Sequence, residues 1–332
     1  MKKYFFNILL LISILILTYL SFNNGSYHFS NSIFHLLFSK SSNAAQNVES
    51  NILWQIRIPR TMIAILVGLA LGIAGVFSQT LFRNPLAEPT LIGLSGGATL
   101  GSAIFIGAGI VTYGTLPHLL LATATAFLVG LFIIAIAPKG TFSFLLTGIG
   151  FAAIFTAIAG IAIEIASNNQ VQSITFWSFG SLALVTAAQL KILLIFLIPG
   201  VLLAFYLNRQ IDIYNLGDSS AYYLGLSIKK TRYLILLTLI LLVASCVSLV
   251  GSIAFLGLIS PHIARFIVGP KSSILIVTSG LVGANLLLLS DILARDLISP
   301  KEIPVGLFTS LIGAPLLIFL LKSSKQVWSE RE

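Results

Sequence analysis

The chain has 332 residues, of which 57% are hydrophobic and 9% charged, with a formal net charge of +9 and a mean hydropathy of +1.02. That much apolar surface exceeds what one soluble core hides, which excludes a soluble globular domain and points to an integral membrane protein. Continuous apolar runs, in place of short alternating segments, make the spans helices and exclude a barrel.

In chain order the first run, Tyr4 to Leu20, follows Lys2 and Lys3 in the manner of a secretion signal. Its apolar stretch is long, and Ser21, Phe22, Asn23 and Asn24 offer no small-x-small cleavage site, so it is read as a transmembrane helix over 4–22. The second span, 57–81, opens with Arg57 and Arg60, three apart on one helical face. Arginines at a helix end ordinarily snorkel to lipid phosphate. Next comes "RNPLAEP", Arg83 to Pro89, whose two prolines make a rigid re-entry into the third span, 90–109, with Arg83 and Glu88 expected to pair.

Gly93-Leu94-Ser95-Gly96 matches the G-x-S-G of rhomboid proteases, with His262 as an imaginable base. Gly93, Gly97 and Gly101 recur every four residues, however, and that spacing makes a close-packing face directly. Spans at 116–137 and 142–165 follow. In the latter, Gly148, Ala152, Thr156 and Ala159 or Gly160 form a stripe of small side chains that suits either tight packing or the lining of a pathway. The segment Ser173 to Leu184 reads as an interfacial helix carrying Trp177 and Phe179 at the headgroup boundary.

After the span 190–208, the island "NLGDSSAYYLGLSIKKTR", Asn215 to Arg232, is too polar to be buried in lipid. Asp218 is a good N-cap for a short helix through Leu224, Gly225 suits a left-handed stop, and Ser227 suits the cap of the next helix. On its basic flank alone the island could lie on anionic lipid. Spans at 232–250, 254–269, 273–294 and 304–322 complete a set of ten, the eighth short and broken by Pro261. Cys246, the lone cysteine, lies inside a span and reads as a packing residue, which excludes an internal disulfide and a cysteine-based metal site. "GPKSS", Gly269 to Ser273, lacks the glycine spacing of a phosphate-binding loop, so ATP is not expected to bind this chain.

Placing the N-terminus in the cytoplasm puts thirteen of the nineteen Lys and Arg on that side, Lys139 and Arg331 among them, and six, including Lys40, outside. The bias favours both termini inside and puts the polar island in the cytoplasm. Arg57, Arg60 and Arg295 then lie outside, against the trend. Intramembrane acids are scarce, with Glu164 and Asp291 near outer helix ends, which ranks an ion-coupled carrier second.

Five ordered blocks carry a resemblance. "RIPRTMIAILVGLALGIAGVFSQTLFRNPLAEPTLIGLSGGATLGS", "FWSFGSLA", "LGDSSAYYLGLSIKKTR", "GSIAFLGLISPHIARFIVG" and "DILARDLISPKEIPVGLFTSLIGAPLLIFLL" together closely resemble the permeases of ATP-binding-cassette (ABC) importers for iron-siderophores, haem and vitamin B12. Glu88, where the family more often has Asp or Ser, and Ser252, where it commonly has Pro, are departures.

The resemblance implies an all-α, type II ABC importer permease in a bacterial plasma membrane, one domain over 1–332, with coupling helices near 210–230. It implies no active-site chemistry of its own: ATP is used by separate cytoplasmic ATPase subunits, and no cofactor or metal is bound directly. Cargo, first an iron(III)-siderophore, with haem or cobalamin behind, is delivered by an extracytoplasmic binding protein, lipoprotein or periplasmic. A second permease copy or paralogue, membrane lipid, and no nucleic acid complete the expected partners. By resemblance, Arg57, Arg60 and Arg295 dock the binding protein, Leu216, Gly217, Asp218, Ala221, Leu224 and Gly225 couple to the ATPase, and Gly148, Ala152, Thr156 and Gly160 line the pathway.

Overall fold

The structure is a computed structural model describing residues 2–329 apart from 26, 28, 31, 39–43, 113, 137–140, 165–167 and 300. Lys40, Lys139 and Arg331 of the charge count lie outside the described residues. The regular structure of the described residues is helical, with no strand among them. In chain order the helices are α1 (Lys2–Asn23), α2 (Ile33–Phe38), α3 (Ala44–Asn51), α4 (Ile58–Phe82), α5 (Leu94–Gly107), α6 (Leu116–Ile136), α7 (Thr141–Glu164) and α8 (Asn168–Ser178). There follow α9 (Ala187–Tyr206), α10 (Asn208–Tyr214), α11 (Asp218–Tyr223), α12 (Ile228–Val250), α13 (Leu256–Val268), α14 (Ser272–Asp296) and α15 (Val305–Ser329).

Seven of these stretches are long and apolar enough to cross a membrane, and the shorter apolar helices Leu94–Gly107, Leu256–Val268 and Val305–Ile318 fall where the third, eighth and tenth spans were expected. The second span differs at its start. A π-helical turn, Ile52–Arg57, joins α3 to α4, so the apolar helix runs from Val48 to Phe82 and is longer than its apolar pattern alone indicated. The third begins later, because Pro89 opens a 3₁₀ turn over Pro89–Ile92 and Gly93 takes a left-handed conformation (φ 88°) before α5.

Helices α4, α12 and α14 form the centre, their apolar side chains buried almost all round. Two helices hide little inside the chain: only 11% of the first span and 17% of α7 are buried there. What lets α4 and α14 approach is the absence of side chains. A Cβ on Gly68 would strike the backbone of Gly283 and Ala284, and one on Gly72 would strike Ser279 and Gly280. The Ser279 hydroxyl uses that closeness to donate to the Gly72 carbonyl (2.6 Å).

The interfacial reading of Trp177 is corrected. Its helix is α8, shifted toward the N-terminus of the expected segment, and Trp177 is fully buried with its ring edge-on to His118 (6.0 Å between centroids). Phe179 is half exposed. Cys246 is fully buried in α12, as a packing residue should be.

Candidate functional site

The polar side chains of the described residues gather at the two ends of the bundle. At the end where α4 begins and α14 finishes, the structure brings Arg57, Arg60 and Arg295 together and buries all three, at 4%, 5% and 6% exposure. Arg60 is pinned from two sides. Its Nε donates to Asp291 Oδ1 (3.0 Å), Nη2 lies 2.9 Å from the same oxygen, and Nη1 donates to both oxygens of Glu302 (3.0 and 2.9 Å).

Arg295, one turn beyond Asp291 on α14, lies 3.3 Å from Asp291 Oδ2 and donates to the Ser21 hydroxyl of α1 (2.7 Å), which in turn bonds Thr61 (2.7 Å). Among the described residues Arg57 makes no ion pair. It donates to the carbonyls of Phe22, Asn23 and Tyr27 and lies over the Phe29 ring, 4.1 Å from its centroid. One fully buried carboxylate thus serves two guanidiniums, and the network ties α1, α4, α14 and the segment before α15 into a single rigid end. Beside it lies a recess of about 270 Å³, walled by Arg57, Arg60, Arg295 and Glu302 with Tyr27 and Ile56. The three guanidiniums therefore face internal partners and this recess.

The opposite end carries the polar island. It folds as the short helix α11, and Gly225 (φ 79°) ends it as expected, with Leu226 N–H donating to the Ala221 carbonyl (2.9 Å). The N-cap is corrected. Gly217 (φ 98°) holds that position, and the Asp218 carboxylate reaches instead to Arg83, with Arg232 3.9 Å away. Ser227 does stand at the N-cap of α12, though its side chain makes no capping bond.

Tyr214 organises this corner. Its ring is buried 4.8 Å beneath the Arg83 guanidinium, and its carbonyl accepts from Arg83 (3.2 Å). The expected Arg83–Glu88 pair is therefore not formed: Arg83 belongs to Asp218, and Glu88 Oε1 accepts the Phe255 N–H at the start of α13 (2.6 Å). Of the residues expected to couple, Ala221 is fully buried beneath α11, while Leu216 and Leu224 are exposed along with Tyr222 and Tyr223, the last at 85%. A soluble partner meeting this end would touch an apolar, aromatic knob flanked by exposed Lys229 and Lys230. Where the end of α4 meets α13 and the start of α14 opens a polar recess of about 330 Å³ walled by Gln79, Arg83, Asn84 and Arg265.

The small-residue stripe of α7 divides. Gly148 and Ala152 pack against α5, where a Cβ on Gly93 or Gly96 would meet them. Thr156 and Gly160 are exposed, with open space beside Gly160. The protease dyad is not assembled: Ser95 donates to the Thr90 carbonyl (3.4 Å), and His262 Nδ1 makes no hydrogen bond among the described residues. Among the described residues no group of three His, Cys, Asp or Glu could hold a metal ion.

Sequence reasoning missed the Asp291 network, although Asp291 and Arg295 stand four apart on one helix face and each pointed separately to the outer end. Comparison with known proteins agrees with the geometry. The sequence model of the FecCD transport family matches residues 10–323. The hemin transport system permease of Yersinia pestis is 36% identical over 295 residues, 85% of this chain and 84% of that protein. A vitamin B12 import permease of Escherichia coli is 36% identical over 72% of this chain and 73% of its own length, and a ferric enterobactin permease of the same species 34% identical over 75% and 76%. Among solved structures, an inward-facing conformation of a metal-chelate type ABC transporter superimposes with a TM-score of 0.84 and 28% identity, covering 96% of this chain and 99% of the other.

Proposed function

Because the chain belongs to the FecCD transport family, we propose that it is the permease subunit of an ABC importer that moves an iron(III)-siderophore complex across a bacterial plasma membrane. Relatives named for hemin, vitamin B12 and ferric enterobactin support the cargo class, with haem or cobalamin as the alternatives within it. Both termini and the α11 knob face the cytoplasm, where two ATPase subunits grip the knob, and a second permease copy or a paralogue completes the pathway. The observation that carries this reading is α11 itself: an exposed aromatic helix, fixed through Asp218 and Arg83 to the end of α4. A push on it reaches one of the two most deeply buried helices of the bundle.

Opposite, the Arg60–Asp291–Arg295 end faces outward and receives an extracytoplasmic binding protein. Arg57, Arg60 and Arg295 serve that contact by fixing the platform on which it sits. Thr156 and Gly160 on the open face of α7 contribute to the pathway. The chain's work is to change conformation when a partner's nucleotide state selects one arrangement over another.

The decisive residue is Ala221. Its methyl group sits at 0% exposure between α11 and the bundle, so Ala221→Phe lifts α11 from its seat while leaving the spans intact. In membranes containing the whole importer, that variant is expected to assemble and hydrolyse ATP while uptake falls about tenfold or more, the scale of a 1.4 kcal/mol loss in coupling. Uptake unchanged beside wild-type hydrolysis would show that α11 is a passive connector.

A further inference from the structure

Between α4 and α5 the chain makes a strap, residues 83–93, whose two ends are tied to different parts of the molecule. At one end Arg83, held left-handed (φ 47°) as the C-cap of α4, bonds Asp218 of α11. The strap is kept compact by its own bonds, with Asn84 N–H donating to Gln79, Ala87 N–H to Asn84, and Leu86 N–H to the Asn84 side chain. At the other end Glu88 Oε1 accepts the Phe255 N–H at 2.6 Å, and the Pro89 ring presses on Gly257.

With α4 as a spanning helix, this second tie lies within the membrane thickness. Gly257 abuts Gly75, two turns before the end of α4, which places the contact about 10 Å inside that end at 1.5 Å per residue. Phe255 is the N-cap of α13, itself left-handed (φ 65°) and without a side chain able to cap. Lipid offers its N–H no substitute partner. A carboxylate from a distant loop therefore satisfies the N-cap N–H, as the Glu or Gln at the third position of a capping box ordinarily does from within the helix, and its charge also suits the positive end of α13.

Residues 251–255 are in turn held by two further elements. The Ser252 carbonyl lies against Gly180 beyond α8 and Gly306 of α15, and the Phe255 ring lies against Gly313 of α15. Moving Phe255 moves what packs on it.

We propose that Glu88 is a positioning residue of the transport cycle, the link by which displacement of the strap at the α11 end is delivered to the broken start of α13 and from there to α15. The proposal rests on the ABC-importer reading for its meaning in transport, but the bond and its mechanical consequence stand in the isolated permease.

The test compares Glu88→Gln, which keeps an acceptor oxygen, with Glu88→Leu, which removes it. Hydrogen exchange is read on the peptide covering residues 251–258 of the purified permease. In vesicles with the ATPase and binding protein, uptake per ATP is read for whichever of a ferric hydroxamate, haemin or cyanocobalamin the wild type accepts. Leu is expected to speed exchange in that peptide about tenfold and to lower uptake per ATP by a similar factor with assembly and basal hydrolysis retained, and Gln is expected to stay close to wild type.

A structural role alone would lower yield and leave the uptake-to-ATP ratio of the surviving protein unchanged, which overturns the proposal. So would Gln behaving like Leu, or Leu leaving exchange at 251–258 unaltered. If the wild type shows no ATP-driven uptake of any probe, the importer reading fails, and exchange alone then decides whether Glu88 holds Phe255.

Discussion

Replacing Asp291 by Ala is expected to be the most damaging single change in the chain. The carboxylate is fully buried and faces two guanidiniums that are themselves 5% and 6% exposed, so its removal leaves Arg60 with only Glu302 and Arg295 with only Ser21 and backbone carbonyls. Two like charges would then share an apolar helix end with the carboxylate between them gone. Breaking a buried pair by deleting one partner costs about 3–5 kcal/mol, and the cost here falls on the junction of α1, α4 and α14. Thermal unfolding of the detergent-solubilised permease is expected to begin far below the wild-type temperature, with most of the protein lost to aggregation. Glu302→Ala provides the contrast: that side chain is 37% exposed, and Arg60 keeps Asp291, so the loss should be near 1 kcal/mol or less. Equal destabilisation by the two variants would show that the network is not organised around Asp291.

Gly68→Val is expected to have the second largest effect. At this position the neighbour is the main chain of α14, in the form of the Gly283 carbonyl and the Ala284 Cα, and a backbone cannot rotate out of the way as a flexible side chain does. The helices must separate, which breaks the Ser279–Gly72 hydrogen bond and opens the contact on which the centre of the bundle depends. A cost of about 3 kcal/mol, the upper part of the range for overpacking, follows. Gly160→Ala is the matching control, because nothing lies within 4 Å of the added methyl group. It should be neutral or stabilise α7 by up to about 1 kcal/mol through helix propensity. A melt of Gly68→Val that superimposes on wild type would mean that α4 and α14 do not meet as described.

These contacts show what the sequence makes legible and what it hides. Ten apolar stretches in the right order could be read directly, since a span announces itself locally by length and composition. So could the short helix at 218–223, the left-handed stop at Gly225 and the burial of Cys246, each set by residues within a turn of one another. Ion-pair partners could not. Arg60 and Asp291 are 231 residues apart and Arg83 and Asp218 are 135 apart, and charge alone matched Arg83 with Glu88, the nearest acid in the chain.

The α7 stripe shows the same boundary. Gly148, Ala152, Thr156 and Gly160 share one helical character in sequence, and only the approach of α5 separates the packed pair from the exposed pair. Trp177 was misplaced for a related reason: an aromatic residue beside polar ones reads as interfacial until a buried His118 is found against its ring.

The central claim is that this chain is moved by a partner's ATP. The direct measurement is uptake of labelled ferric hydroxamate, haemin and cyanocobalamin into vesicles holding the permease, its ATPase and its binding protein. Uptake of one of these probes only when ATP is supplied on the ATPase side, with the ferric hydroxamate favoured, is the result expected. Uptake driven by an imposed proton or sodium gradient in the absence of ATP would contradict it.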